Sequence, residues 1–102
     1  MKNRIDLDNE LRQILGSNNC YYQPPSNIKL HYPCIIYSLS SIDTTKADNK
    51  NYLNHKRYDL QVIDKNPDTD LPNKIIEHFQ MVSMGKVFVV DNLNHYNFNL
   101  YY

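Results

Sequence analysis

The pattern of apolar residues predicts an α+β fold, a single antiparallel β-sheet of four to five strands with two α-helices packed on one face. Three observations lead to it. Leu7, Leu11, Ile14 and Leu15 recur at helical spacing, as do Leu71, Ile75, Ile76, Phe79 and Val82. The segments around Arg57–Asp64 and from Asn92 to Tyr102 instead alternate with a period of two. Hairpin connections between such segments imply antiparallel pairing, with one face left for the helices.

The first helix runs from about Arg4 to Leu15, with Gly16 at the position where a left-handed C-cap is expected. Cys20-Tyr21-Tyr22-Gln23 reads as a short strand. Pro24-Pro25 then removes two backbone donors and sends the chain on an extended excursion through Ser26-Asn27. Pro33 fits only at the start of the next strand, which is expected from Cys34 to about Ser41. Asp43 to Leu53 is polar and without periodicity, and reads as a long loop; long ordered loops in compact domains are usually functional. A strand from about His55 to Asp64 puts Tyr58, Leu60 and Val62 on one face and Arg57, Asp59, Gln61 and Ile63 on the other. Asn66-Pro67-Asp68 ends it as a turn.

Asp70 is the expected N-cap of the second helix, with Pro72 in its first turn and its end near Met84-Gly85. Val87-Phe88-Val89-Val90 is an apolar β run, and Asp91-Asn92 begins a connection. The alternation of the final segment continues to Tyr102, so the C-terminus is expected inside the last strand. The predicted order is α-β-β-β-α-β-β, with the first strand short or absent, within one domain, residues 1–102.

Composition narrows the function. Formal charge is zero, with 11 basic and 11 acidic residues, and the pI is about 6.9. A chain of that balance has no field that would recruit nucleic acid or an anionic membrane without help from shape. No apolar run is long enough to cross a bilayer, and the first residues lack the apolar core of a secretory signal, so a soluble cytoplasmic chain is expected. Mean hydropathy is −0.65, yet the apolar residues are gathered in a few runs, as in a folded domain. Nine tyrosines and no tryptophan suit strands, and also suit surfaces that are wet at one stage and buried at another.

Signals for chemistry are weak. His31, His55, His78 and His95 with Cys20 and Cys34 lack the close paired spacing of zinc sites, so no metal is expected. Cys34, at the head of an apolar strand, reads as a buried and inert thiol. Gly16 and Gly85 stand alone, which excludes a phosphate-cradling loop. Asp59 and Asp64 read as solvated charges. Lys46, Lys50, Lys56 and Arg57 are offset by Asp43 and Asp48, and read as a solvated face and not a nucleic-acid site. No catalytic residue and no cofactor follows from the residues.

Four segments in order carry a resemblance. They are Tyr21-Tyr22-Gln23-Pro24-Pro25; Tyr32-Pro33-Cys34-Ile35-Ile36-Tyr37; Arg57-Tyr58 with Val62-Ile63-Asp64-Lys65-Asn66-Pro67-Asp68; and Asp91-Asn92-Leu93-Asn94-His95-Tyr96 with Phe98 and Leu100-Tyr101-Tyr102. From about Leu11 onward the chain resembles the tail terminator proteins of long-tailed bacteriophages, also called tail completion or tail-to-head joining proteins. The resemblance implies a non-enzymatic virion subunit, assembled in the host cytoplasm, that forms a homo-oligomeric and typically hexameric ring on the tail tube. There it would stop tube polymerisation and meet the head connector or stopper protein, with DNA crossing the lumen only during ejection. Another neck component, such as a head-completion or stopper protein, and a non-viral cytoplasmic α/β binding module are the alternatives. Expected contact residues are Tyr21, Tyr22, Pro24, Pro25, Thr44, Lys46, Asp48, Tyr52, Arg57, His95, Tyr96 and Tyr101.

Overall fold

Each helix begins and ends where local chemistry satisfies its loose backbone groups. The structure, a computed structural model, describes residues 3–46 and 52–102. Helix α1 spans Arg4–Leu15. Asn3 caps it through a reciprocal box: the Asp6 amide donates to Asn3 Oδ1 at 3.0 Å, and the Asn3 amide donates to Asp6 Oδ2 at 3.1 Å. Gly16 closes it at φ 77°, its N–H donating to the Arg12 carbonyl. Leu7 and Leu11 are fully buried, with Ile14 and Leu15 packed beside them.

Helix α2 is shorter than its apolar stripe suggests. It spans Leu71–His78, with Phe79 already extended, so the expected end near Met84-Gly85 is corrected. Val82 and Met84 belong instead to strand β4, Val82–Val90. There the β-branched run from Val87 and a ladder to the last strand outweigh helical spacing. Asp70 sits at the N-cap position without a side-chain cap bond, and pairs with Lys74 at 3.6 Å.

Five strands form one sheet in the order β1-β2-β3-β5-β4, where β1 is Cys20–Tyr22, β2 Cys34–Lys46, β3 Tyr52–Asp64 and β5 Leu93–Tyr101. All neighbours are antiparallel except β1 and β2. That parallel pair is the topological consequence of the proline excursion, which carries the chain back to the end of the sheet from which β1 started. The Tyr32-Pro33 peptide bond is cis. The expected long loop after β2 is also corrected: the ladder continues from Ile42↔Lys56 to Lys46↔Tyr52, leaving only 47–51 outside the described residues. Asp91 and Asn92, with φ of 53° and 63°, make the tight turn between β4 and β5, the left-handed pair that a two-residue hairpin requires.

The core lies between the helices and one face of the sheet. Leu7, Leu11, Leu71 and Ile75 meet Ile35, Tyr37, Tyr58, Leu60, Val62, Phe98 and Leu100. These strand residues sit directly opposite one another: Ile35↔Val62, Tyr37↔Leu60, Leu60↔Phe98 and Tyr58↔Leu100. Both helices therefore cover the same face, in agreement with the α+β reading.

Candidate assembly surfaces

Alternation along the strands leaves a second face without helices. Ile36 and Ser38 of β2, Asp59 and Gln61 of β3, and Asn97 and Asn99 of β5 point away from the core and, with Lys86, line a groove of about 430 Å³. Gln61 Nε2 donates to Asn97 Oδ1 at 3.0 Å across its floor. Beside it the rings of Phe88 and His95 stack at 4.7 Å and 6°. His95 Nδ1 donates to the Leu93 carbonyl at 3.0 Å, which fixes the ring's orientation.

The two edges of the sheet are treated differently. On one side β1 has only three residues and is followed by Pro24-Pro25. Arg12 Nη2 donates to its Cys20 carbonyl at 3.2 Å. Just beyond β1, Gln23 Oε1 accepts from the Leu39 amide at 3.2 Å, occupying a donor that a further strand would otherwise use. These are the devices by which natural sheets block edge pairing. On the other side β4 presents nine residues without proline, and its ladder to β5 carries a bulge between Met84 and Val87 that contains Lys86, the strand's only charge. Its last four residues are exposed and apolar on both faces: Val87 is 55% accessible, Val89 64%, Val90 49% and Phe88 36%. Among the described residues no strand pairs with its outer side.

Beyond Ser41 and Arg57, apart from the Tyr102 amide donating to the Lys56 carbonyl at 3.0 Å, β2 and β3 pair among the described residues only with each other, as a two-stranded ribbon extending past the five-stranded sheet. The molecule measures 52 × 27 × 22 Å. An isolated two-stranded ribbon is marginal in water and gains stability from a surface to lie on. At its base, Arg57 Nε is withdrawn from solvent and has no hydrogen-bond partner among the described residues, which is costly for a cationic donor.

The polar side chains at the helix–sheet boundary serve the fold. Asp8 of α1 accepts from Tyr37 Oη at 2.5 Å and from Arg12 Nε, while Arg4 donates to Tyr37 Oη at 3.3 Å. Burial disfavours the Asp8 carboxylate, but the hydrogen bonds from Tyr37 and Arg12 outweigh it and hold its pKa below the ordinary value. Burial, then the bond to Asp8, pushes the Tyr37 phenol well up. Glu10 bridges α2 and the C-terminus, pairing with His78 Nε2 at 2.9 Å and accepting from Tyr102 Oη. Burial pushes the Cys20 thiol up to about 12 and Cys34 to about 11, away from the thiolate form a nucleophile requires. Among the described residues no three His, Cys, Asp or Glu side chains come together as metal ligands. No helix among them is long and apolar enough to cross a membrane.

The expected contact residues fall in separate places. Tyr22 is half-buried against Tyr37 at 4.9 Å, with the Arg4 guanidinium 4.6 Å over its ring. Tyr96 packs against the core. Tyr21, Pro24, Arg57, His95 and Tyr101 are partly exposed and Pro25 is exposed. Arg57 and Tyr101 are brought together as a cross-strand pair. Thr44 pairs with Asn54 and Lys46 with Tyr52 in the ribbon; Asp48 lies outside the described residues. The open edge Val87–Val90 and the amide-lined groove are surfaces the sequence reading did not single out. The apolar run itself was visible, but its edge position depends on β5 lying between β3 and β4, which no local pattern encodes. No protein-family model matches the chain, and no curated protein does.

Proposed function

We propose that this chain is a structural subunit of a phage tail-to-head joint, a tail terminator that assembles as a ring on the head-proximal end of the tail tube. The observation that carries this reading is the combination of an exposed apolar strand end, Val87–Val90, with a projecting two-stranded ribbon on a small neutral α+β domain. Neither feature serves the fold of a single copy, and both suit repeated contacts between copies. The ordered tyrosine- and proline-containing segments supply the link to the terminator family. The raised thiol pKa values speak against a thiolate nucleophile at Cys20 or Cys34. The zero net charge suits a ring that DNA must cross without being held by its phosphates.

Imaging virions produced without the protein tests the reading. Tails of uncontrolled length, or complete tails that fail to join filled heads, are expected; normal joined particles would overturn it. The groove on the helix-free face favours a second reading, a binding module for a polar ligand held by Gln61, Asn97 and Asn99. That module would remain monomeric, and its ligand would protect these side chains from solvent.

A further inference from the structure

We infer that the helix-free face of the sheet binds a neutral oligosaccharide, laid along the groove from Phe88 toward Tyr101. This rests on the second reading above, that of a binding module, and gives that module its ligand class.

Strand register fixes the layout of the face. Asn97 and Asn99 of β5 stand opposite Gln61 and Asp59 of β3, and Asp59 in turn stands opposite Ser38 of β2. Where β4 departs from strict pairing, between Met84 and Val87, Gly85 and Lys86 complete the groove wall. The polar band is bounded at one end by the stacked rings of Phe88 and His95. At the other end lies the cross-strand pair Arg57↔Tyr101, on the same side by alternation. His95 and Tyr101 are six residues apart on β5, which is about 20 Å along a strand.

The chemistry of the groove selects its ligand. Asp59 and Lys86 balance each other in charge, and among the described residues neither is in an ion pair. An anionic ligand would meet Asp59 and a cationic one Lys86, so a neutral ligand is favoured. The remaining polar side chains are one hydroxyl and three amides, each able both to donate and to accept. A sugar hydroxyl has the same dual capacity. The bond from Gln61 to Asn97 leaves Gln61 Oε1 as an acceptor and Asn97 Nδ2 as a donor, side by side on neighbouring strands. That pair matches two adjacent hydroxyls, one donating and one accepting. Phe88 is partly exposed beside them, and its ring offers an apolar surface to the C–H face of a pyranose. Single-stranded nucleic acid also uses aromatic platforms, but it needs a basic track for its phosphates. Here Arg57 and Lys86 are offset by Asp59. A volume of about 430 Å³ lies within the range of small-ligand sites.

NMR titration of the isotope-labelled full chain tests the assignment, with cellotetraose, maltotetraose and, as a non-sugar control, N-acetylglycinamide. At least one tetraose is expected to shift the side-chain amide signals of Gln61, Asn97 and Asn99 and to reach saturation. The matching disaccharide, too short to span the band, should bind at least about tenfold more weakly. Asn99→Ala and Phe88→Ala are each expected to weaken tetraose binding at least about tenfold, through a lost hydrogen bond and a lost platform. Unchanged circular dichroism and melting of either variant would show that its fold is intact. Shifts with N-acetylglycinamide alone would overturn the sugar assignment and keep the binding module. Shifts with neither sugar nor amide would overturn both. Concentration-dependent broadening of these signals without added sugar would give the face to a second copy, and would also overturn the assignment.

Discussion

Asp8 shows how one carboxylate can tie a helix to a sheet. Its side chain is 15% accessible, and its partners Tyr37, Arg12 and Arg4 come from both layers. Because its folded pKa lies below the ordinary 3.8, its stabilisation is fully present above that value and is lost as pH falls through the lower folded one. Asp8→Asn is therefore expected to cost about 1–3 kcal/mol at neutral pH. It should also flatten the stability profile below about pH 4. Urea titrations at pH 7 and pH 3 measure both effects, and equal stability of the two proteins at pH 7 would exclude the tie. The thiols give a second test at this scale. With Cys20 and Cys34 buried and their pKa values raised, the native protein is expected to react with a disulfide reagent at pH 8 only as fast as it opens. Immediate labelling of either thiol would contradict the buried placement.

Among the elements, the span, apolar stripe and Gly16 stop of α1 were legible because they are local features, whereas its Asn3 capping box was not read from the sequence. Asn3→Ala is expected to cost about 1 kcal/mol, since it removes the side-chain acceptor of the first turn; chemical denaturation reads the loss, and no loss would mean that the box is idle. Leu11→Ala should cost about 2–5 kcal/mol, its side chain being fully buried under both layers. The end of α2 was not legible. Val82 continues the spacing of Leu71, Ile75 and Phe79, so periodicity carries the helix too far, whereas pairing with Leu100 makes Val82 a strand residue. The ribbon shows a similar override: Asp43–Lys46 and Tyr52–His55 look like loop because they are polar and unpatterned. They form a ladder because β2 and β3 are already in register from Cys34↔Ile63, and pairing begun in the core extends outward.

On the scale of the whole molecule, the core and the contact surfaces are separable. Replacing residues 44–54 by an Asn-Gly turn between the paired Asp43 and His55 removes most of the ribbon without touching the helix–sheet core. The shortened chain is expected to keep its cooperative melting within a few degrees, about the shift that 1 kcal/mol produces in a domain of this size. It should no longer self-associate, and sedimentation velocity would show the change. A shortened chain that still assembles would place the copy-to-copy contact elsewhere.

By itself the sequence determined the order of elements, most of their apolar faces and the existence of two helices over one sheet, though Ile76 of the second helix's stripe is exposed. Those follow from side-chain periodicity and caps, which are properties of neighbouring residues. Tertiary structure alone decided that β1 runs parallel to β2, that β5 separates β3 from β4, and hence that Val87–Val90 lies on an open edge while Tyr22 and Tyr96 face the core. The reason is physical: which strands become neighbours is settled by how distant segments share one buried face, and exposure is a property of that arrangement, not of the residues that end up exposed.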